Sequence, residues 1–226
     1  MASTSIGQAA GPRIGTMLLA AVAESGSANH PYRTSPVLLS GPDAARNLSD
    51  VVHFLCILYG RQPCAIDHAA DRCLQPEERE WFKTAVERFN TERSVLARLV
   101  VAGGPMPSTA GAVGSENAVI GQRHAIEMLA QSERRGCALG AALAIVLDWA
   151  QIRTVLDTAA ARFGIAPPRY MLGDGAALRD LADEVATSTS IERAILFGAT
   201  QVATQHRGLW DLLEARQQAR SASQAA

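Results

Sequence analysis

No stretch of this sequence alternates apolar and polar residues with a period of two over the length of a β-strand. Apolar residues instead recur three and four positions apart, and the runs are bounded by residues that begin or end helices, such as Pro76, Asp174 and Gly60. Alanine, the best helix former, accounts for 41 of the 226 residues, whereas aromatic residues make up only 5%. The pattern predicts an all-α protein.

Capping and breaking residues divide the chain into long helices with short ones around them. Asp43 and Pro76 are predicted to open helices that run to about Tyr59 and Val101, and Ser115, Asp174 and the capping-box spacing Thr189-Ser-Ile-Glu192 open three more. The helices that begin at Ser115, Asp174 and Thr189 are predicted to end near residues 135, 185 and 216, respectively. Three further helices are predicted at 14–23, 65–73 and 137–164. The sequence predicts one domain over 1–226, a helical bundle of about four long helices plus short ones, with 1–12 and 217–226 frayed.

The charge balance excludes two classes of protein. The chain has 21 basic and 22 acidic residues, a formal net charge of -1 and 48% hydrophobic residues. An intrinsically disordered chain needs low hydrophobicity and high net charge, and a nucleic-acid binder needs an excess of cations to neutralise phosphates. We therefore expect a compact globule with no nucleic-acid partner.

The apolar run 14–23, preceded by Arg13, has the outline of a secretory leader. Its residues also sit at helical spacing and thirteen residues precede it, which favours the first helix of the fold. No segment approaches the roughly 18 apolar residues that a membrane-spanning helix needs, so we expect a cytoplasmic protein with no membrane partner.

The four cysteines have three interpretations. Cys56, Cys64, Cys73 and Cys137 would form two disulfides in a secreted protein, and the first three with His68 offer a zinc ligand set. That set lacks the Cys-x2-Cys pair typical of structural zinc, and Cys56 lies within an apolar run. Free buried thiols are the favoured interpretation.

The connection from Gly103 to Ser115 is rich in Gly, Pro, Ser and Thr. It lacks the Gly-Lys-Ser/Thr ending of a phosphate-binding loop and no strand precedes it, so that interpretation fails. Its length leaves two alternatives open, a plain flexible loop or a lid over a pocket.

Three short motifs stand close together in the stretch 93–149: Gly-Pro-Met-Pro-Ser-Thr at 104–109, Gly-Gln-Arg-His-Ala at 121–125 and Ser-Glu-Arg-Arg-Gly-Cys-Ala at 132–138. With them, this quarter of the chain resembles an uncharacterised family of proteobacterial all-helical proteins. The resemblance implies a bacterial protein of unknown function, with no activity, cofactor or ligand set to transfer.

One motif suggests a metal site. Di-iron helical bundles use Glu-x-x-His pairs, and Asp50-Val-Val-His53 has that spacing with aspartate in place of glutamate. A di-iron site needs two such pairs and two further carboxylates. Asp50 and His53 are therefore the candidate metal ligands, and the identity of any cofactor stays unknown.

Charged residues also occur within apolar helical stripes. Glu92 and Arg93 flank the stripe of one long helix, Asp148 lies at the centre of another, and His206 lies on that of the last. A buried unpaired charge is costly, so each needs a partner or a ligand. We predict a salt bridge between Arg93 and Asp148; the alternatives are convergence on a ligand pocket in the bundle core and burial in an oligomer.

Two hypotheses of function follow. In the first, Glu92, Asp148 and His206, with His53, hold a metal ion or a small molecule in the bundle core, and Arg93 binds an anionic group. In the second, the protein is non-catalytic and homo-oligomerises or binds a partner protein. Small residues between Gly136 and Ala144 permit close backbone approach, which suits either a tight core or a dimer interface.

Overall fold

A computed structural model describes residues 13–109 and 111–225 of the chain. Within those ranges the regular structure is helical, with no strand, which confirms the all-α class. The expected fraying of residues 1–12 lies outside the described residues. The α-helices are α1 (Ile14–Ser25), α2 (Pro36–Leu39), α3 (Ala44–Tyr59), α4 (Ala65–Ala70), α5 (Pro76–Gly103), α6 (Ala112–Ala130), α7 (Cys137–Arg162), α8 (Gly175–Val185) and α9 (Thr189–Ala225), and a short 3-10 helix, Pro31–Thr34, lies between α1 and α2.

Several helix ends follow the predicted capping chemistry. Pro76 occupies the first turn of α5, and the Glu78 carboxylate accepts the backbone N–H groups of Leu74 and Gln75 at 2.7 and 2.9 Å. Asp174 caps α8 by accepting the N–H of Ala176 at 3.0 Å. These caps satisfy backbone donors that a helix leaves unpaired at its first turn.

Other helix ends differ from the prediction. The α6 helix begins at Ala112 after Gly111, which has a left-handed φ of 75°, and Ser115 lies inside the first turn. The Ser188 hydroxyl, rather than Thr189, accepts a backbone N–H at the start of α9. At the other end, α9 reaches Ala225, so the prediction that residues 217–226 fray is wrong as far as Ala225.

The centre of the fold is α7, which is buried along most of its length and packs most extensively against α9. Around this pair, α1 packs on α8 and α9, while α3 packs on α5 and α6. One contiguous apolar core therefore joins the helices.

Small residues let α7 and α9 approach closely. A Cβ atom on Gly140 would lie 2.1 Å from the carbonyl oxygen of Ile195, and one on Gly198 would lie 2.3 Å from that of Cys137. Glycine on both helices is therefore required where they cross. The small residues between Gly136 and Ala144 thus serve the core of the chain itself.

The α7 helix also contains an 18-residue window long and apolar enough to cross a membrane, which the sequence analysis did not predict. The mean hydropathy of this helix is high, but Asp148 and Arg153 interrupt its apolar residues. A search for an unbroken apolar stretch therefore does not find it. In the structure 78% of that window is buried among the other helices, as expected for the core helix of a bundle.

Candidate functional site

The charged residues predicted to lie in apolar stripes are buried. Relative exposures are 1% for Asp50, 2% for Glu92, 8% for Arg93, 1% for Asp148 and 0% for His206. Asp148 and His206 contact each other in one hydrogen-bonded cluster, whereas Glu92, Arg93 and Asp50 belong to three separate ones. The predicted salt bridge between Arg93 and Asp148 is wrong.

Asp148 is held by α9 and by the segment after α1. Its Oδ2 atom lies 2.7 Å from Nδ1 of His206, and its two oxygens accept the backbone N–H and the hydroxyl of Ser27 at 2.9 and 2.5 Å. On the other side of the imidazole, Nε2 of His206 is hydrogen-bonded to the Tyr59 hydroxyl. The chain Ser27–Asp148–His206–Tyr59 thereby links four segments of the fold in its interior.

The two ends of this chain differ in hydrogen-bonding chemistry. The Asp148 carboxylate is an acceptor only, so Nδ1 of His206 donates to it. Burial raises the pKa of Tyr59 well above its ordinary value, so its hydroxyl keeps its proton.

Glu92 lies in a second cluster on the other side of α7. Its carboxylate accepts the indole N–H of Trp149 at 2.9 Å and pairs with Arg153 at 2.6 Å. Arg153 also donates to Asp157 at 2.8 Å and to the carbonyl of Pro168 at 2.6 Å. This buried arginine neutralises the Glu92 carboxylate in the core.

Arg93 points away from α7, toward α4. Its Nη1 atom donates to Asp67 at 2.6 Å and to the Cys64 thiol at 2.8 Å. Burial works to raise the pKa of Asp67, but the hydrogen bonds from Arg93 and from the Cys64 backbone outweigh it and hold that pKa below 3.8. Burial raises the pKa of Cys64 to about 11, so the thiol stays protonated.

Asp50 forms a fourth cluster with the end of α9. Its two oxygens accept Nη2 of Arg216 at 3.0 Å and Nη1 of Arg220. Arg220 also donates to Asn47 at 2.5 Å. His53 is half-buried and apart from this cluster, since its Nε2 atom lies 2.8 Å from the carbonyl of Gly104.

Of the candidate metal ligands, Asp148 and His206 contact each other, whereas Glu92, Asp50 and His53 each lie with other partners. In the part of the chain that the structure describes, no three His, Cys, Asp or Glu side chains lie close enough to hold a metal ion. All four cysteines are free thiols, as the sequence predicts.

Sequence reasoning missed the arginines that complete these clusters. Arg216 and Arg220 are four residues apart and share one helix face, a spacing that would have revealed them had the tail not been assigned as frayed. Arg153 lies beside Ile152 in the long apolar helix α7, so its charge was a second available signal.

An open cavity of about 330 Å³ lies elsewhere, between the connection after α4 and the start of α7. Its lining carries both signs of charge, including Arg72 and Glu133, whose charged atoms lie 3.8 Å apart. None of the buried clusters opens into it.

Comparison with protein families shows where the chain belongs. The profile of a family of unknown function, DUF6975, matches residues 22–221 of the chain. The chain belongs to this family. Comparison with curated proteins and with solved structures finds no match.

The match to DUF6975 confirms the expectation of an uncharacterised family. It runs from within α1 to the last turns of α9, so it contains the Asp148, Glu92, Arg93 and Asp50 clusters.

Proposed function

We propose that this protein is non-catalytic and associates with a second copy of itself through the exposed side of α6. We call this side the α6 face. It consists of exposed residues that lie within less than half of the helix circumference: Val113, Gly114, Asn117, Ala118, Gly121, His124 and Met128.

The observation that carries the proposal is Gly121, in the middle of α6. Glycine inside a helix costs about 1 kcal/mol relative to alanine, because it loses the most backbone freedom. At Gly121 and Gly114, a Cβ atom would meet nothing within 4 Å among the described residues. The fold of a single chain therefore gains nothing from these glycines, in contrast to Gly140 and Gly198. A second backbone could approach α6 closely here only because glycine has no Cβ atom.

The composition of the α6 face favours a second copy over a charged partner. His124 is its one titratable residue, while Arg123 and Glu127 pair with each other beside the face, with charged atoms 3.6 Å apart. Two copies related by a two-fold axis place the same patch of each chain against the other. Such an interface is favoured when the patch has few charges, because like charges on the two copies would repel. Val113 and Met128, 73% and 74% exposed, would supply apolar area at the two ends.

The buried clusters support a non-catalytic protein. The carboxylates of Glu92 and Asp148 accept hydrogen bonds from the protein's own side chains and backbone, as a fold-stabilising network requires. Such networks fix the relative positions of helices without needing a ligand.

Sedimentation velocity over a range of protein concentrations tests the proposal. The wild-type chain is expected to dimerise reversibly, and Gly121→Leu to sediment as a folded monomer because the larger side chain prevents close backbone approach. Ala161→Leu, at an exposed position near the end of α7, is the matched control and should leave the dimer unchanged.

Two results would contradict the proposal. A wild-type chain that stays monomeric at its highest soluble concentration would remove self-association. A dimer that Gly121→Leu and Ala161→Leu affect equally would move the interface away from α6.

A further inference from the structure

The cluster around Asp50 contains more buried positive charge than negative. Arg216 and Arg220, 3% and 7% exposed, both contact the single Asp50 carboxylate, and Asn47 adds a neutral acceptor. Burying a guanidinium without a full counter-charge is unfavourable, because the lost hydration is not replaced. The cluster therefore favours the arrival of an additional anion.

One guanidinium also has unused hydrogen-bonding capacity. Nη1 of Arg216 is buried and has no hydrogen-bond partner among the described residues. The rest of that guanidinium is fixed, since it lies 4.9 Å above the Phe54 ring and pairs with Asp50. A rigidly held donor without an acceptor is a feature of ligand sites for anions.

The acceptors that segment 107–109 offers to these arginines are neutral and distant. The carbonyl of Pro107 and the hydroxyl of Thr109 lie 3.3 and 3.4 Å from Nη2 of Arg216, and Thr109 lies 3.1 Å from Nη1 of Arg220. Most of these distances exceed the usual N–H···O range, and hydrogen bonds to a charged acceptor are about twice as strong as such neutral ones. An oxyanion would therefore compete successfully for these donors.

Two members of this cluster, Arg220 and Asn47, also line a shallow surface groove. The other residues that line it are Asp43, Arg46, Gln217 and Ser221. Arg46 donates to the carbonyl of Ser108 at 3.4 Å, which is a third long contact to a neutral acceptor of the same segment.

We propose that Arg46, Arg216 and Arg220 bind a small tetrahedral oxyanion of the phosphate class, whose oxygens replace the acceptors of Pro107, Ser108 and Thr109. Planar guanidinium groups match the oxygens of such an anion two at a time, which favours phosphate over a spherical anion such as chloride. This site is separate from the α6 face, so each proposal stands or fails without the other.

Isothermal titration of the full-length chain with inorganic phosphate tests the site, with sodium chloride at matched ionic strength as the reference. We expect saturable binding of one phosphate per chain and a matching rise in melting temperature, and no such effect of chloride. Equal responses to phosphate and chloride, or no binding, would overturn the proposal.

Two variants locate the site. Arg46→Gln removes an exposed groove residue without disturbing the buried pair, and Arg216→Lys keeps a charge beside Asp50 while removing the unused donor; each is expected to weaken phosphate binding at least tenfold. Arg61→Gln, at another exposed arginine, is the control and should bind like wild type. If Arg216→Lys does not fold, Arg46→Gln decides alone, and wild-type affinity in that variant would place the phosphate elsewhere.

Discussion

The Nδ1 atom of His206 lies 2.7 Å from Oδ2 of Asp148, and both side chains are buried between α9 and α7. The same carboxylate accepts hydrogen bonds from the backbone N–H and the hydroxyl of Ser27, and the imidazole is hydrogen-bonded to Tyr59. A single buried anion therefore orients two long helices, the segment after α1 and the end of α3.

Asp148→Ala tests that role. Removing the carboxylate leaves the Ser27 donors and Nδ1–H of His206 without an acceptor in a dry environment, so we expect a loss of about 3–5 kcal/mol in the free energy of unfolding. Asp148→Asn keeps one acceptor oxygen but places an NH2 group against one of the Ser27 or His206 donors. We expect this variant to lose about 1–3 kcal/mol in the free energy of unfolding. Urea denaturation measures both, with Asp211→Asn, at a largely exposed carboxylate that contacts His30, as control. An Asn variant as stable as wild type would show that the carboxylate charge does not stabilise the fold.

Glu92 and Arg153 should behave as a coupled pair. Glu92→Leu or Arg153→Met alone leaves a buried charge short of its partner and should cost about 3–5 kcal/mol, whereas the double variant should cost less than the sum. The coupling free energy from a double-mutant cycle is the measurement. The exposed pair Arg179–Asp180 provides the comparison and should couple by less than about 1 kcal/mol. Additive effects at Glu92 and Arg153 would mean that their contact contributes nothing to stability.

The sequence identified buried charges correctly but paired them incorrectly. Helical periodicity places Asp148, Glu92 and Arg93 relative to the apolar stripe of their own helices, because 100° per residue fixes that angle. It carries no information about how one helix is rotated against another. Periodicity therefore predicts a pairing of Arg93 with Asp148, although the orientation of α5 directs Arg93 to Asp67 on α4.

The end of α9 was lost for a different reason. Residues after Arg216 are small and polar, a composition that usually frays. In the structure Arg216 and Arg220 bind the buried Asp50 on α3, and that tertiary contact extends the helix beyond what local propensity supports.

Gly140→Ala and Gly121→Ala are the same substitution in two helices, and we expect opposite effects. At Gly140 the new methyl group would lie 2.1 Å from the carbonyl oxygen of Ile195, so the α7–α9 crossing must separate at a cost of about 1–3 kcal/mol. At Gly121 the space is open, and alanine should stabilise the single chain by roughly 1 kcal/mol. Urea denaturation at a protein concentration low enough for monomers compares them. A Gly140→Ala variant that gains stability would contradict the tight crossing.

Asp67→Asn tests the electrostatics of the Arg93 cluster through pH. The pKa of Asp67 in the folded protein is held below its ordinary value of 3.8, because the donors Arg93 and Cys64 outweigh the effect of burial. A carboxylate whose pKa is lowered by folding stabilises the protein above its unfolded pKa and loses that contribution as the pH falls through the folded value. Wild type should therefore be more stable than Asp67→Asn at about pH 7, and this difference should shrink at about pH 3 and below.

Urea denaturation across that range gives the difference in unfolding free energy between the two proteins. Asp71→Asn, at an exposed carboxylate just after α4, should show little difference from wild type at either pH and serves as the control. A difference for Asp67→Asn that stays constant on acidification would mean that the ionised carboxylate gains nothing from Arg93. The pairing of α4 with α5 would then depend on packing alone.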